Sequence, residues 1–218
     1  LDTPGARHDI EEPHLLVTKL TRPQVRSDLV ERSRLRAMLD RGSERKLTLI
    51  STGPGYGKST LAATWADSTA MPAAWLSLDA ADNDPLSFFR YVIAALQTLD
   101  PELGRETGLL LRGTRVPSVR TLVTTLINAL AVVTRPFALV LDDLHAIESP
   151  EILEGFALLV QNMPHTMRLI VTSRTDPPLP LLRMQARGEL PRVQLRSRYI
   201  GVCLWRPPVC ATLHLCAI

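Results

Sequence analysis

Between Thr52 and Thr60 the chain reads Thr-Gly-Pro-Gly-Tyr-Gly-Lys-Ser-Thr. Glycines let a loop turn its backbone N–H groups inward around an anion, and a helix starting near Lys58 adds its positive N-terminal end. In such a loop the lysine reaches the β- and γ-phosphates of a nucleotide and the following hydroxyl ligates Mg2+. The loop therefore reads as a nucleotide-binding P-loop, with Gly53, Pro54, Gly55, Tyr56, Gly57, Lys58, Ser59 and Thr60 as cofactor-binding candidates. The strict pattern places a further glycine five residues before Gly57. Thr52 stands there, and Gly53 is one step out of register. The plainer alternative is a glycine turn followed by a surface lysine. The strand before the loop and the helix after it weigh against that.

A second chemical feature is the apolar run Phe137–Leu141, which ends in Asp142 and Asp143. Ligands of open α/β sheets sit at the C-terminal ends of the strands. Asp142 is the candidate to hold Mg2+ through water, with Ser59 as the other metal ligand. Asp143 takes the general-base position, where it would polarise an attacking water. The alternative is that the two carboxylates only cap the next turn. Arg174 follows the apolar run Arg168–Ser173, a strand expected beside the first one, and would approach the γ-phosphate; a solvent-facing arginine is the plainer alternative. Val30 and Arg32 are candidate adenine contacts, or else a surface helix start. His145 either orders the site or is a structural histidine. Asp79 is a supporting acid or a turn former. Trp65 and Trp75 read as core.

The elements that must position these residues alternate. Strands are expected at Leu47–Ser51, Ala74–Leu78, Ala138–Asp142 and Arg168–Ser173. Helices are expected at Asp28–Arg41, Lys58–Asp67, Pro85–Leu99, Ser118–Val133, Pro150–Asn162 and Leu179–Ala186. Leu122, Leu126 and Leu130 share one helical face, and Asp84 with Pro85 makes a helix start. Residues 1–14 read as a lead, Leu15–Arg26 as an extended arm, and Pro101–Pro117 as irregular. Strands alternating with helices give βαβ units and an α/β fold with a parallel sheet covered by helices on both faces.

Composition narrows the function classes. The chain has 218 residues, 45% hydrophobic and 22% charged, which excludes disorder. No apolar run reaches the roughly 18 residues of a membrane helix, and Leu1–Pro13 lacks the apolar core of a signal peptide. The chain opens on Leu1, which suggests a trimmed or misread start. The net charge of +3 hints at a nucleic-acid partner, but its location removes the hint. Residues 188–218 hold Arg192, Arg196, Arg198 and Arg206 against Glu189, so the other 187 residues are neutral. Cys203, Cys210 and Cys216 also sit in this tail. A cysteine-free body suggests a reducing, cytoplasmic compartment.

With these pieces in place, the chain resembles the N-terminal ATPase domain of MalT-like, large LuxR-type transcription regulators of the STAND class, a branch of the ASCE P-loop NTPases. The stretches that carry the resemblance include Thr18-Lys19-Leu20-Thr21-Arg22-Pro23, Leu29-Val30-Glu31-Arg32, Gly55–Leu61, Trp75–Asp79, Tyr91–Gln97, Leu139–His145 and Thr172-Ser173-Arg174 with Pro177–Leu181. They cover roughly residues 15–190. The resemblance implies an ATP-driven switch in which ADP holds a closed monomer. An inducer then favours a self-associating, promoter-binding ATP form, and slow hydrolysis resets it. Inducer-binding repeats and a DNA-binding helix-turn-helix would lie downstream of this chain.

The expected organisation is an arm over 1–27, a P-loop ATPase domain over 28–190 and an atypical tail over 191–218. The tail lacks a period and is read as frameshift-derived, or else as a genuine tail with Tyr199–Trp205 as an edge strand. The leading function is an ATP/ADP-binding switch domain using Mg2+, with slow or absent hydrolysis. The alternatives are an independent P-loop ATPase or kinase-like enzyme, and a binding-only remnant. No membrane partner is expected.

Overall fold

The computed structural model describes residues 15–25, 35, 37, 39, 40, 46–113, 117–175, 177 and 192–194. Five parallel strands form one sheet: β1 (Leu47–Ser51), β2 (Ala73–Ser77), β3 (Phe137–Asp142), β4 (Met167–Ser173) and β5 (Arg192–Gln194), in the order β2-β3-β4-β1-β5. The helices are α1 (Lys58–Ser68), α2 (Pro85–Gln97), α3 (Arg105–Arg112), α4 (Val119–Ala131) and α5 (Pro150–Asn162).

The strands are buried on both faces, and their alternation sorts the core into two layers. Leu47 and Leu49, Ala74 and Leu76, Leu139 and Leu141, and Leu169 and Val171 point to one side. There they pack with Phe88, Phe89, Leu122, Leu126 and Phe156 of α2, α4 and α5. Ile50, Trp75, Ala138, Val140 and Ile170 point to the other side, against Leu61, Ala62 and Trp65 of α1 and against Leu39. Trp65 and Trp75 are thus core residues, as expected. Asp142 and Thr172 continue the second set by alternation, so both fall on the α1 side of the sheet.

Local signals explain the helix starts. Asp84 accepts from the Ser87 N–H at 2.8 Å, with Pro85 in the first turn. Ser118 accepts from the Thr121 N–H at 3.2 Å. Gly155 of α5 sits where a Cβ would fall 2.4 Å from Val119 Cγ1, so only glycine allows α5 to lie this close to α4.

Three expectations need correction. The segment Pro101–Pro117 is not irregular throughout: α3 runs from Arg105 to Arg112 behind a left-handed Gly104, and it buries Thr107 and Leu111. Its glycines mask a helix that tertiary packing stabilises. The arm is not simply extended either. Val17–Leu20 form a 3-10 turn, held because Lys19 reaches Asp82 at 2.8 Å and the Leu16 N–H donates to the Tyr91 hydroxyl at 3.1 Å. The third concerns the sheet edge. Arg192–Gln194, inside the segment read as an atypical tail, pair with Leu49–Ser51 as a fifth strand.

Leu35, Ala37, Leu39 and Asp40 are helical, within the helix expected over Asp28–Arg41. The expected lead over 1–14, the helix at Leu179–Ala186, the edge strand at Tyr199–Trp205 and the three cysteines lie outside the described residues. So do Val30 and Arg32.

Candidate functional site

The strand register brings the chemistry-bearing ends together. Ser51 pairs with Ser173 and Leu141 with Val171, so β1, β4 and β3 end side by side. The loop after β1 starts level with the β4 end, where the Thr52 N–H donates to the Ser173 carbonyl at 3.3 Å. Gly55 and Gly57 take positive φ angles of 78° and 73°, which side chains disfavour. Thr52 is not among the positive-φ residues, so a threonine is tolerated where the strict pattern has glycine.

A cavity of about 310 Å3 opens at this junction, lined by Pro54, Gly55, Gly57, Lys58, Ser59, Thr60, Asp143 and Arg174. Eight of the sequence candidates therefore share one concave surface. Gly53 and Tyr56 do not line it. The Tyr56 ring packs against the α1-side core, and a Cβ at Gly53 would fall 3.3 Å from that ring.

Lys58 is buried, and its Nζ donates to the Thr52 and Gly53 carbonyls at 3.1 and 3.0 Å. Burial lowers its pKa, against the opposing pull of Asp143. Among the described residues no carboxylate forms an ion pair with Lys58 or Arg174.

Asp142 is 5% exposed and sits behind the cavity wall. It accepts from Thr172 Oγ1 at 2.6 Å and from the Ser59 hydroxyl. Burial raises its pKa, and these two hydrogen bonds work against the rise. Asp143 adopts a left-handed backbone, φ 59° and ψ 44°, and its N–H donates to Thr172 Oγ1 at 2.9 Å. His145 Nδ1 lies 3.6 Å from Asp143 Oδ1 and has no hydrogen-bond partner among the described residues. Burial lowers the His145 pKa, which favours a neutral imidazole.

Asp79 is a turn former, the second of its two expected roles. It caps the 3-10 turn Ala80–Asn83 in a reciprocal capping box with Asp82 and pairs with Lys19 at 2.8 Å. Thr172 was not singled out as a site residue from sequence. The available signal was a hydroxyl at the C-terminal end of an otherwise apolar strand.

No group of three or more His, Cys, Asp or Glu side chains able to hold a metal occurs among the described residues. No helix among them is long and apolar enough to cross a membrane.

A parallel sheet with a glycine-rich loop and lysine after its first strand, and an acidic end on the strand two places away, defines a P-loop NTPase fold. The solved Cdc6p from Pyrobaculum aerophilum has the same fold, with a TM-score of 0.52 at 16% identity over 82% of this chain and 49% of that one. A family profile described as "Nephrocystin 3, N-terminal" matches residues 24–174, and the chain belongs to that family. It is also 35% identical over 176 residues to the HTH-type transcriptional regulator MalT of Cronobacter sakazakii (strain ATCC BAA-894). The MalT of Serratia proteamaculans (strain 568) matches at the same identity and length. These matches cover 81% of this chain but only 19% of either relative, so the chain spans about a fifth of their length. The resemblance to MalT-like regulators read from the motifs therefore holds along most of the chain.

Proposed function

We propose that this chain is a nucleotide-binding switch domain of a MalT-like regulator, taking ATP or ADP with Mg2+. The observation that carries the reading is the shared cavity. Two cationic side chains that pair with no carboxylate among the described residues, Lys58 and Arg174, face it together with glycine-loop backbone and Asp143. A phosphate chain supplies the charge those groups lack.

Ser59 and Asp142 fit Mg2+, because both offer hard oxygen donors and they already touch one another. Asp142 lies behind Ser59 and off the cavity wall, which suits a carboxylate that reaches a metal through water. When bound, Mg2+ would neutralise charge on the β- and γ-phosphates. Lys58 would move from the Thr52 and Gly53 carbonyls to the phosphates, and Arg174 would sense the γ-phosphate. Asp143, on the same wall, would orient a water for attack on the γ-phosphorus and accept its proton as ADP leaves. Hydrolysis is slow in this reading, and its role is to reset the switch. Val30 and Arg32 are proposed adenine contacts. Inducer recognition, self-association and promoter binding would belong to the longer protein, in the cytoplasm.

Titration with a fluorescent ADP analogue tests the reading. Wild type should bind, and Lys58→Ala should weaken binding by about 10–100-fold, the scale of lost hydrogen bonds to a charged group. Equal binding by Lys58→Ala would sink the proposal.

A further inference from the structure

The cavity residues account for phosphate contact, and Ser59 among them hydrogen-bonds Asp142, but none of them hydrogen-bonds both aspartates. That task falls to a side chain on another strand. Thr172 is fully buried on β4, one strand over from Asp142 and Asp143. Its hydroxyl makes two hydrogen bonds of opposite sense: Oγ1 donates to Asp142 Oδ1 at 2.6 Å and accepts from the Asp143 N–H at 2.9 Å. A hydroxyl has one proton, and here it is committed to Asp142. One oxygen of Asp142 is thereby held, which sets the plane of its carboxylate beside Ser59.

The second bond acts on the backbone. Asp143 is the one non-glycine residue with positive φ among the described residues. That region is sparsely populated by side-chain-bearing residues and persists when the surroundings enforce it. The Thr172 hydroxyl is a partner that enforces it, and the result is an Asp143 side chain on the cavity wall. Arg174 lies two residues further along the chain from Thr172, on the same wall.

We propose that Thr172 is a positioning residue that aims both carboxylates at the Mg2+–nucleotide site and ties their geometry to the strand that leads into Arg174. This rests on the nucleotide reading above. The binding of nucleotide itself, through the loop and Lys58, does not depend on Thr172. The extra affinity that Mg2+ confers does.

The test is the ratio of fluorescent-ADP affinities with Mg2+ and with EDTA, for wild type, Thr172→Val and Thr172→Ser, each checked by thermal melting. Valine keeps the shape and β-branching and removes the hydroxyl; serine keeps the hydroxyl. Thr172→Val should match wild type in EDTA and lose about tenfold of the Mg2+ gain, the scale of one hydrogen bond to a charged group. Thr172→Ser should keep most of the gain. A purely structural role would lower the melting temperature, or weaken binding equally in both conditions, and leave the ratio unchanged. Either that outcome or a full Mg2+ gain in Thr172→Val overturns the proposal. Wild type that binds with no Mg2+ gain overturns it too and leaves the nucleotide reading standing. Wild type that binds no nucleotide overturns both.

Discussion

Two strands of this sheet end in acidic pairs, and the pairs have opposite surroundings. After β2, Asp79 and Asp82 meet Lys19 at 2.8 Å each, and Lys19 also lies 4.9 Å from the centre of the Tyr91 ring. At the end of β3 hydroxyls take the place of a cation: Thr172 and Ser59 donate to the Asp142 carboxylate, and Thr172 also accepts from the backbone N–H of Asp143. The electrostatic consequences diverge. The hydrogen bond from Lys19 lowers the Asp79 pKa, whereas burial raises that of Asp142. Burial draws the Lys19 pKa down, but its hydrogen bonds to Asp79 and Asp82 outweigh that and leave it raised. An acid already matched with a cation holds the fold together. Asp142, held by hydroxyls beside a cavity whose two cations pair with no carboxylate among the described residues, is the acid that the proposed nucleotide site would use.

The contrast can be broken most strongly at Lys19. Lys19→Met should strand Asp82, which is 1% exposed, without its cation. Removing one partner of a buried pair costs about 3 kcal/mol or more. Urea denaturation should register the loss, while nucleotide affinity stays within about twofold of wild type, because Lys19 lies outside the cavity lining. A loss of affinity without a loss of stability would erase the distinction between the corners.

Asn83 joins the two corners and gives the next effect. Its Oδ1 accepts from the Glu148 and Ser149 N–H groups at 2.7 and 2.9 Å, and its Nδ2 donates to the Ala146 carbonyl at 2.9 Å. Ala146 in turn donates its N–H to the Asp143 carbonyl at 2.9 Å. Asn83→Ala should cost about 2 kcal/mol, since several hydrogen bonds go but water replaces some. Amide hydrogen exchange should localise the loosening to residues 144–149.

The smallest effect is a change of pH slope, and it sharpens the comparison by sign. The folded pKa of Asp142 lies above its ordinary value of 3.8. Between those values the folded chain holds a proton that the unfolded chain has released, so stability falls as pH rises through that window. For Asp79 the folded pKa lies below 3.8, so its contribution is present above that value and is lost as pH falls through the folded pKa. Asp142→Asn should flatten the decline above pH ~4 in urea midpoints and leave the acid-side loss intact. An unchanged slope would mean that Asp142 is not held at a cost.

Much of this was legible in the residues. The apolar runs before Thr52 and Asp142 marked two strands that the sheet contains, and Pro150–Asn162 is helical over the expected range. Pattern works there because each element carries its own period and caps. It failed at α3, where Gly108 depresses local helix propensity and the buried Thr107 and Leu111 depend on tertiary packing. It failed again at β5, where three residues have too little period to announce a strand and only the open edge of β1 recruits them. At the site, the loop and the acidic doublet were readable, whereas the separation of Tyr56 and Gly53 from the cavity was not.

The sequence by itself determined the local chemistry: a glycine loop able to turn its amides toward an anion, a lysine and hydroxyl at a helix start, and carboxylates at a strand end. These follow from neighbouring residues and short periods. Tertiary structure alone decided which acids are matched and which are left open. Lys19 and Asp82 are 63 residues apart, and Thr172 and Asp142 are 30 apart. Contacts at that range come from strand order and register, which no local pattern specifies, and they settle whether an acidic pair serves the fold or faces the cavity.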